Sequence, residues 1–250
     1  MNMNTIRLLL CVLWWMATGP RGQAQTQAQK PPGAPGSAAA TPSASEASGA
    51  IQDRTATFFM GRLKYSNNNG NDCSAVGTEL MKLVSSTSTI RVQRERTLAI
   101  QSPELFETPF LFMNGHDKFT LTEEELGIFR KYFSHGGFLL ASGCCTNPAF
   151  PAAVRQELGR IFPGESVRAL PYEHGIYRAF HRIESVPSLH ERKEIHLEGL
   201  FYEGRLVAVL CEDGLCCSFS MENRCNNGKG VPPIHGRKLA LNIAIYALTH

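Results

Sequence analysis

The sequence predicts an α/β domain: an open, mainly parallel sheet with helices on both faces (three layers) and one antiparallel addition. Three observations lead there. Strand-length apolar runs alternate with helical periodicity between Thr55 and Ile161. Two of those runs, "PFLFM" from Pro109 and "FLLA" from Phe138, are apolar without alternation, as strands buried on both faces are. Farther on, "HLEGLFY" and "RLVAVLC" flank Glu203-Gly204, a compact hairpin turn.

Thr55 to Tyr65 is rich in β-branched and aromatic residues and ends at the Asn/Gly turn "SNNNGN", so it is the first strand. Val76, Leu80, Leu83 and Val84 recur at helical spacing. Short strands are expected around Ile90–Val92 and Leu98–Ile100. The next helix opens on a capping box, Thr122 with Glu125, and puts Leu126, Phe129 and Phe133 on one face. Gly136 and Gly137 stop it. Asn147 is the expected N-cap, and Pro148 the first residue, of a helix striped by Phe150, Val154, Leu158 and Ile161. A last helix over about 236–248 turns Leu239, Ile243 and Tyr246 inward.

The ends of the chain bear on location. Arg7 precedes an uncharged apolar run from Leu8 to Ala17, too short to span a bilayer comfortably, and Gly22 and Ala24 fit a small-x-small cleavage site. Residues 1–24 therefore read as a signal peptide. Residues 25–52 are Pro, Ala, Ser and Gln-rich, with too few large apolar side chains to offset the entropy of ordering, and read as a disordered linker. One domain is expected over 53–250. The expected location is exported, periplasmic or secreted, with no membrane span after cleavage. A net charge of +3 with scattered basic residues and no aromatic-interleaved Lys/Arg stripe argues against nucleic acid.

In open α/β sheets ligands bind beyond the carboxyl ends of the strands. The polar residues that follow each run are Asn114, His116 and Asp117; Ser142, Cys144 and Cys145; Glu173 and His174; and Glu212 and Asp213, then Cys216 and Cys217. They form a candidate ligand-binding rim. Taken singly, each has an ordinary reading as well. His116 can hold a loop, His174 a turn, and Cys211 is expected in the core. Arg62 and Lys64 alternate with apolar neighbours and read as a solvated strand face.

From about Arg54 to His250 the chain resembles a bacterial family called domain of unknown function 4159. The motifs that carry the resemblance are "RLKY", "PFLFMNGHDKFTLTEEE", "GGFLLASGCC", "RIFPGESVRALPYEHGIYRAF", "LEGLFYEGRLVAVL" and "LALNIAIYALTH". It implies a flavodoxin-like or class I glutamine-amidotransferase-like sheet but no reaction. Longer relatives attached to membrane-anchored segments imply a role at the cell envelope.

Three chemistries compete for the cysteines. A thiolate at Cys144 or Cys145 would gain from a helix N-terminus, with His116 or His174 as base and Glu173 or Asp213 orienting it. Cys144, Cys145, Cys216, Cys217, His116 and His174 include enough ligands for zinc, but no pair has diagnostic spacing, so no metal or cofactor is assigned. Export favours disulfides, with Cys144, Cys145, Cys216, Cys217 and Cys225 as candidates among seven cysteines left after cleavage. The leading expectation is an exported, non-catalytic domain binding an unknown ligand or envelope protein. The alternative is a Cys-dependent hydrolase or amidotransferase-like enzyme.

Overall fold

Nine strands and five helices are laid down in a computed structural model that describes residues 57–66, 68, 75–144, 146–189, 193–219 and 230–250. The predicted signal peptide, the linker, Cys73, Cys145 and Cys225 lie outside the described residues. The described residues belong to one unit, spanning 52–250.

The first strand is interrupted at Phe59. Strand β1 (Thr57–Phe58) pairs in parallel with β3 (Arg91–Val92), whereas β2 (Met60–Lys64) joins the main sheet. Helix α1 (Ala75–Thr87) leads to β4 (Arg96–Ala99), which lies parallel beside β2 at the sheet edge. The chain then crosses to the other side of β2 and enters β5 (Phe110–Gly115). Strand β6 (Phe138–Gly143) follows α2 (Glu123–Ser134). After α3 (Ala149–Ile161) come the short β7 (Arg168–Ala169) and the hairpin of β8 (Glu198–Tyr202) and β9 (Arg205–Cys211). Helices α4 (Cys216–Phe219) and α5 (Pro233–Thr249) complete the described chain.

The sheet order is β4-β2-β5-β6-β9-β8-β7, with β8 antiparallel to both neighbours. Numbered by sequence, the five contiguous parallel strands read 2-1-3-4-5, the doubly wound order seen in flavodoxin. The expected open, mainly parallel sheet with an antiparallel hairpin is thus the observed one. β5 and β6 are buried along their whole length, as their unbroken apolar runs require.

Two cores divide the faces. Val76, Leu80 and Val84 of α1 join Phe110, Phe112 and Leu140 on one face, together with α4 and α5. Leu126, Phe129 and Phe133 of α2 and Val154, Leu158 and Ile161 of α3 join Leu111, Leu139 and Leu210 on the other. Helix α5 is buried nearly all round, from Leu239 to Tyr246, which explains why its sequence carries little polar alternation.

Local chemistry sets the boundaries. The Thr122 hydroxyl accepts from Glu125 N at 3.2 Å, and the Glu125 carboxylate accepts from Thr122 N at 2.8 Å, so the capping box is complete. Gly136 ends α2 at φ 94°. Glu203 and Gly204, at φ 49° and 78°, make the two-residue turn of the β8–β9 hairpin. Helix α3 begins one residue later than expected. Pro148 is its N-cap, while the Asn147 carboxamide oxygen accepts from Ala149 N at 3.0 Å.

Replacing Thr122 with alanine removes one half of the box and should destabilise the domain by about 1 kcal/mol. The measurement is the urea midpoint at constant slope; an unchanged midpoint would show that water caps the helix equally well.

Candidate functional site

Strand register decides which candidates meet. Asn114 pairs with Ser142, and Ser142 with Cys211, so three consecutive parallel strands end in a buried row of polar side chains. Asn114 does not face an opening. Its carboxamide oxygen accepts from an Arg62 guanidinium nitrogen at 3.2 Å, and its backbone carbonyl accepts from the Tyr65 hydroxyl at 2.7 Å. Arg62 also pairs with Glu95 at 3.2 Å and lies over the Phe112 ring. The expected solvated face is therefore corrected: Lys64 is exposed, but Arg62 is only 2 % exposed. A buried charge needs such partners, because desolvation costs several kcal/mol if they are missing. Gly77 of α1 makes the pairing possible, since a Cβ there would overlap the Glu95 carboxylate.

The described cysteines Cys144, Cys211, Cys216 and Cys217 are all buried. The Ser142 hydroxyl donates to Gly143 O at 3.1 Å and accepts from Leu215 N at 3.0 Å, pinning the segment after β9 onto the end of β6. At Gly143 a Cβ would overlap the Glu212 carbonyl oxygen, so the two backbones approach as only glycine permits. Asp213 is buried and lies 3.7 Å from the Lys193 ammonium. Beneath this cover Cys144 is 0 % exposed, with its sulfur 3.5 Å from that of Cys216, which is 4.0 Å from that of Cys217. The Cys211 thiol donates to Asp213 O at 2.9 Å, and burial, followed by Asp213, pushes it well above its ordinary range.

These distances bear on all three cysteine chemistries. Cys144, Cys211, Cys216 and Cys217 stand as thiols, at separations longer than the roughly 2.05 Å of a bond. A nucleophile must reach a substrate, and Cys144 is sealed. Among the described residues, no three His, Cys, Asp or Glu side chains converge as a metal-ligand set.

The histidines separate. Gly115 pairs with Gly143, so His116 emerges beside Cys144 at the carboxyl ends, half-buried, with Asp117 exposed after it. His174 does not join them. Its Nδ1 accepts from Ile176 N at 3.2 Å, capping the short turn Gly175–Arg178, while Glu173 beside it is exposed. Its ring packs on Tyr246 and Phe201. Phe201 pairs with Leu206 near the start of β9, and Tyr246 touches Phe138, the first residue of β6. Six strand residues span roughly 17 Å. His174 thus lies at the amino ends of the parallel strands, opposite the cysteines, and cannot serve them as base. β7 is only two residues long, and the chain after it turns away from the rim.

An opening lies elsewhere. Where the chain crosses from β4 to β5, the strand order reverses about β2, and a crevice of about 570 Å³ sits beside the ends of β2 and β5. Ser66 just after β2, Lys118, Phe119 and Thr120 from the segment after β5, and Ala152 and Gln156 from α3 line it. Phe119 is fixed by edge-on packing against Tyr65 at 4.8 Å and by Phe150 at 5.5 Å. None of these six residues was singled out in the sequence. The signal was the switch point itself, which becomes visible only when the strand order is known.

The family model for Domain of unknown function (DUF4159) matches residues 60–248. The chain belongs to that family. The matched span runs from the first residue of β2 to the last turn of α5, so this DUF4159 domain includes both the sealed cysteine end and the open crevice. No curated protein matches the chain.

Gly77→Ala should displace Glu95 and leave the Arg62 charge underpaired, costing about 2–3 kcal/mol net, despite alanine's better helix propensity. Chemical denaturation measures it; a stabilised variant would show that the Arg62–Glu95 pair is dispensable. A second expectation concerns pH. Burial first, then His250, lowers the His174 imidazole below its ordinary 6.5. The unfolded chain then binds a proton that the folded chain resists, so this contribution is complete above about pH 6.5 and declines as pH falls. His174→Asn keeps a capping acceptor without titrating, and its urea midpoint should fall less than the wild type's between about pH 7 and pH 5.5.

Proposed function

We propose that this chain is an exported, non-catalytic binding domain of the bacterial cell envelope, taking its ligand in the crevice at the switch point. The observation that carries the reading is a crevice at the topological switch point, where open α/β sheets take their ligands. Cys144, Cys211, Cys216 and Cys217 are buried, whereas the ends of β2 and β5 border a crevice of about 570 Å³. Its described lining offers a cation at Lys118, hydroxyls at Ser66 and Thr120, and the Gln156 amide, against an apolar wall of Phe119 and alanines. Among the described residues, this lining carries no imidazole, thiol or carboxylate. Such a mixture suits a small amphipathic ligand bearing an acidic or hydrogen-bonding group.

Export rests on the leader pattern of residues 1–24. Among the described residues, no helix is long and apolar enough to cross a membrane.

Two measurements test the reading. Alkaline phosphatase fused after His250 should be active in a bacterial host, and inactive when residues 1–24 are deleted; activity independent of the leader counts against export. A thermal-shift screen of small acids and envelope-derived fragments should find a ligand whose stabilisation is lost in Ala152→Trp, which fills the crevice from an exposed position. A ligand that stabilises both proteins equally would place binding elsewhere.

A further inference from the structure

We infer that Cys144 and Cys216 are a disulfide-forming pair, closed when the chain folds outside the cytoplasm, and that their bond staples the segment after β9 to the end of β6. The inference rests on the export reading for its oxidising environment, but the pairing itself comes from geometry. The two sulfurs are already in contact at 3.5 Å, so a bond requires them to close by only about 1.5 Å. Their positions are set by separate elements: Cys144 directly follows β6, and Cys216 opens α4. The hydroxyl of Ser142 holds Leu215 N beside them, fixing the approach from both sides.

The competing described partners are less suited. Cys217 is adjacent to Cys216 in sequence and its sulfur is farther, at 4.0 Å; bridging neighbours would close a strained ring within α4. Cys211 already uses its thiol on Asp213 O. Both members of the proposed pair are buried, at 0 % and 2 %, so the reaction belongs to folding, before α4 covers the site.

The step is thiol–disulfide exchange with a low-molecular-weight disulfide or an oxidised dithiol protein. One cysteine thiolate attacks the oxidant's S–S bond and forms a mixed disulfide, releasing the first oxidant thiol. The second thiolate then displaces the other. Two protein thiols are oxidised, one disulfide is reduced, and the two thiol protons pass to the departing thiolates. The bond closes a loop of 72 residues, so it restricts the unfolded chain strongly.

The test refolds full-length reduced protein in a glutathione redox buffer, traps remaining thiols with N-ethylmaleimide and maps peptides without reduction. The expected product carries a Cys144–Cys216 bridge, retained in Cys217→Ser and absent from Cys144→Ser and Cys216→Ser. Oxidised wild type should melt roughly 10 °C above the reduced form. A bridge from Cys144 or Cys216 to another cysteine, or alkylation of both in the oxidised fold, would overturn the pairing. Since mapping needs only wild-type protein, it stands even where a serine variant folds poorly. A bridge formed in vitro with a leader-independent phosphatase fusion would sink export while leaving the pair intact.

Discussion

The guanidinium of Arg62 joins three parts of the sheet at the point where its order reverses. It extends from β2, takes a carboxylate from Glu95 just before β4, and donates to Asn114 on β5. A charge only 2 % exposed is tolerable only if those partners are present together. Strands β4 and β5 must therefore flank β2 on opposite sides, which is the 2-1-3 arrangement that creates a switch point. Helix α1 takes part through what it lacks: Gly77 leaves room for the carboxylate, and Thr78 adds a hydroxyl at 3.4 Å.

That arrangement gives the carboxyl ends of the sheet two different characters. Toward β6 and β9, backbones approach closely at Gly143, and the segment after β9 folds down over Ser142 and the thiols. Toward β2 and β5, aromatic side chains do the closing instead. Tyr65, Phe119 and Phe150 pack ring against ring, and their bulk holds the segment after β5 away from α3. Backbone contact leaves no void, whereas ring packing leaves one beside it. The crevice thus lies beside the ring cluster and not beside the close backbone approach at Gly143.

Much of this was legible residue by residue. The capping box of α2 and the Glu203-Gly204 turn are local chemistry, complete within a few positions, and both formed as their residues dictate. The unbroken apolar runs of β5 and β6 likewise required burial on both faces. Arg62 misled because alternation with apolar neighbours is the pattern of a solvated face. Only its partners, 33 and 52 positions away, reveal that it is inside. His174 misled for a different reason. Polar residues after an apparent strand were expected at the carboxyl rim, but β7 pairs over only two residues and its continuation caps a turn against Tyr246. The crevice left no local mark, because alanines on α3 and a lysine after β5 acquire meaning only when the strand order brings them together.

A catalytic thiol needs an exposed, electropositive setting that favours the thiolate, with a base within reach. Cys144 has none of that exposure: its sulfur faces that of Cys216 under a covered strand end, and His174 lies across the sheet. Burial in apolar surroundings works against ionisation, as the raised Cys211 thiol nearby illustrates. What suppresses nucleophilic chemistry leaves a structural role intact, since a disulfide carries no charge and is content in a dry core. Among the described residues, the carboxyl ends of the sheet thus differ: Cys144 and Cys216 lie buried in contact at one side, and a crevice opens beside β2 and β5 at the other.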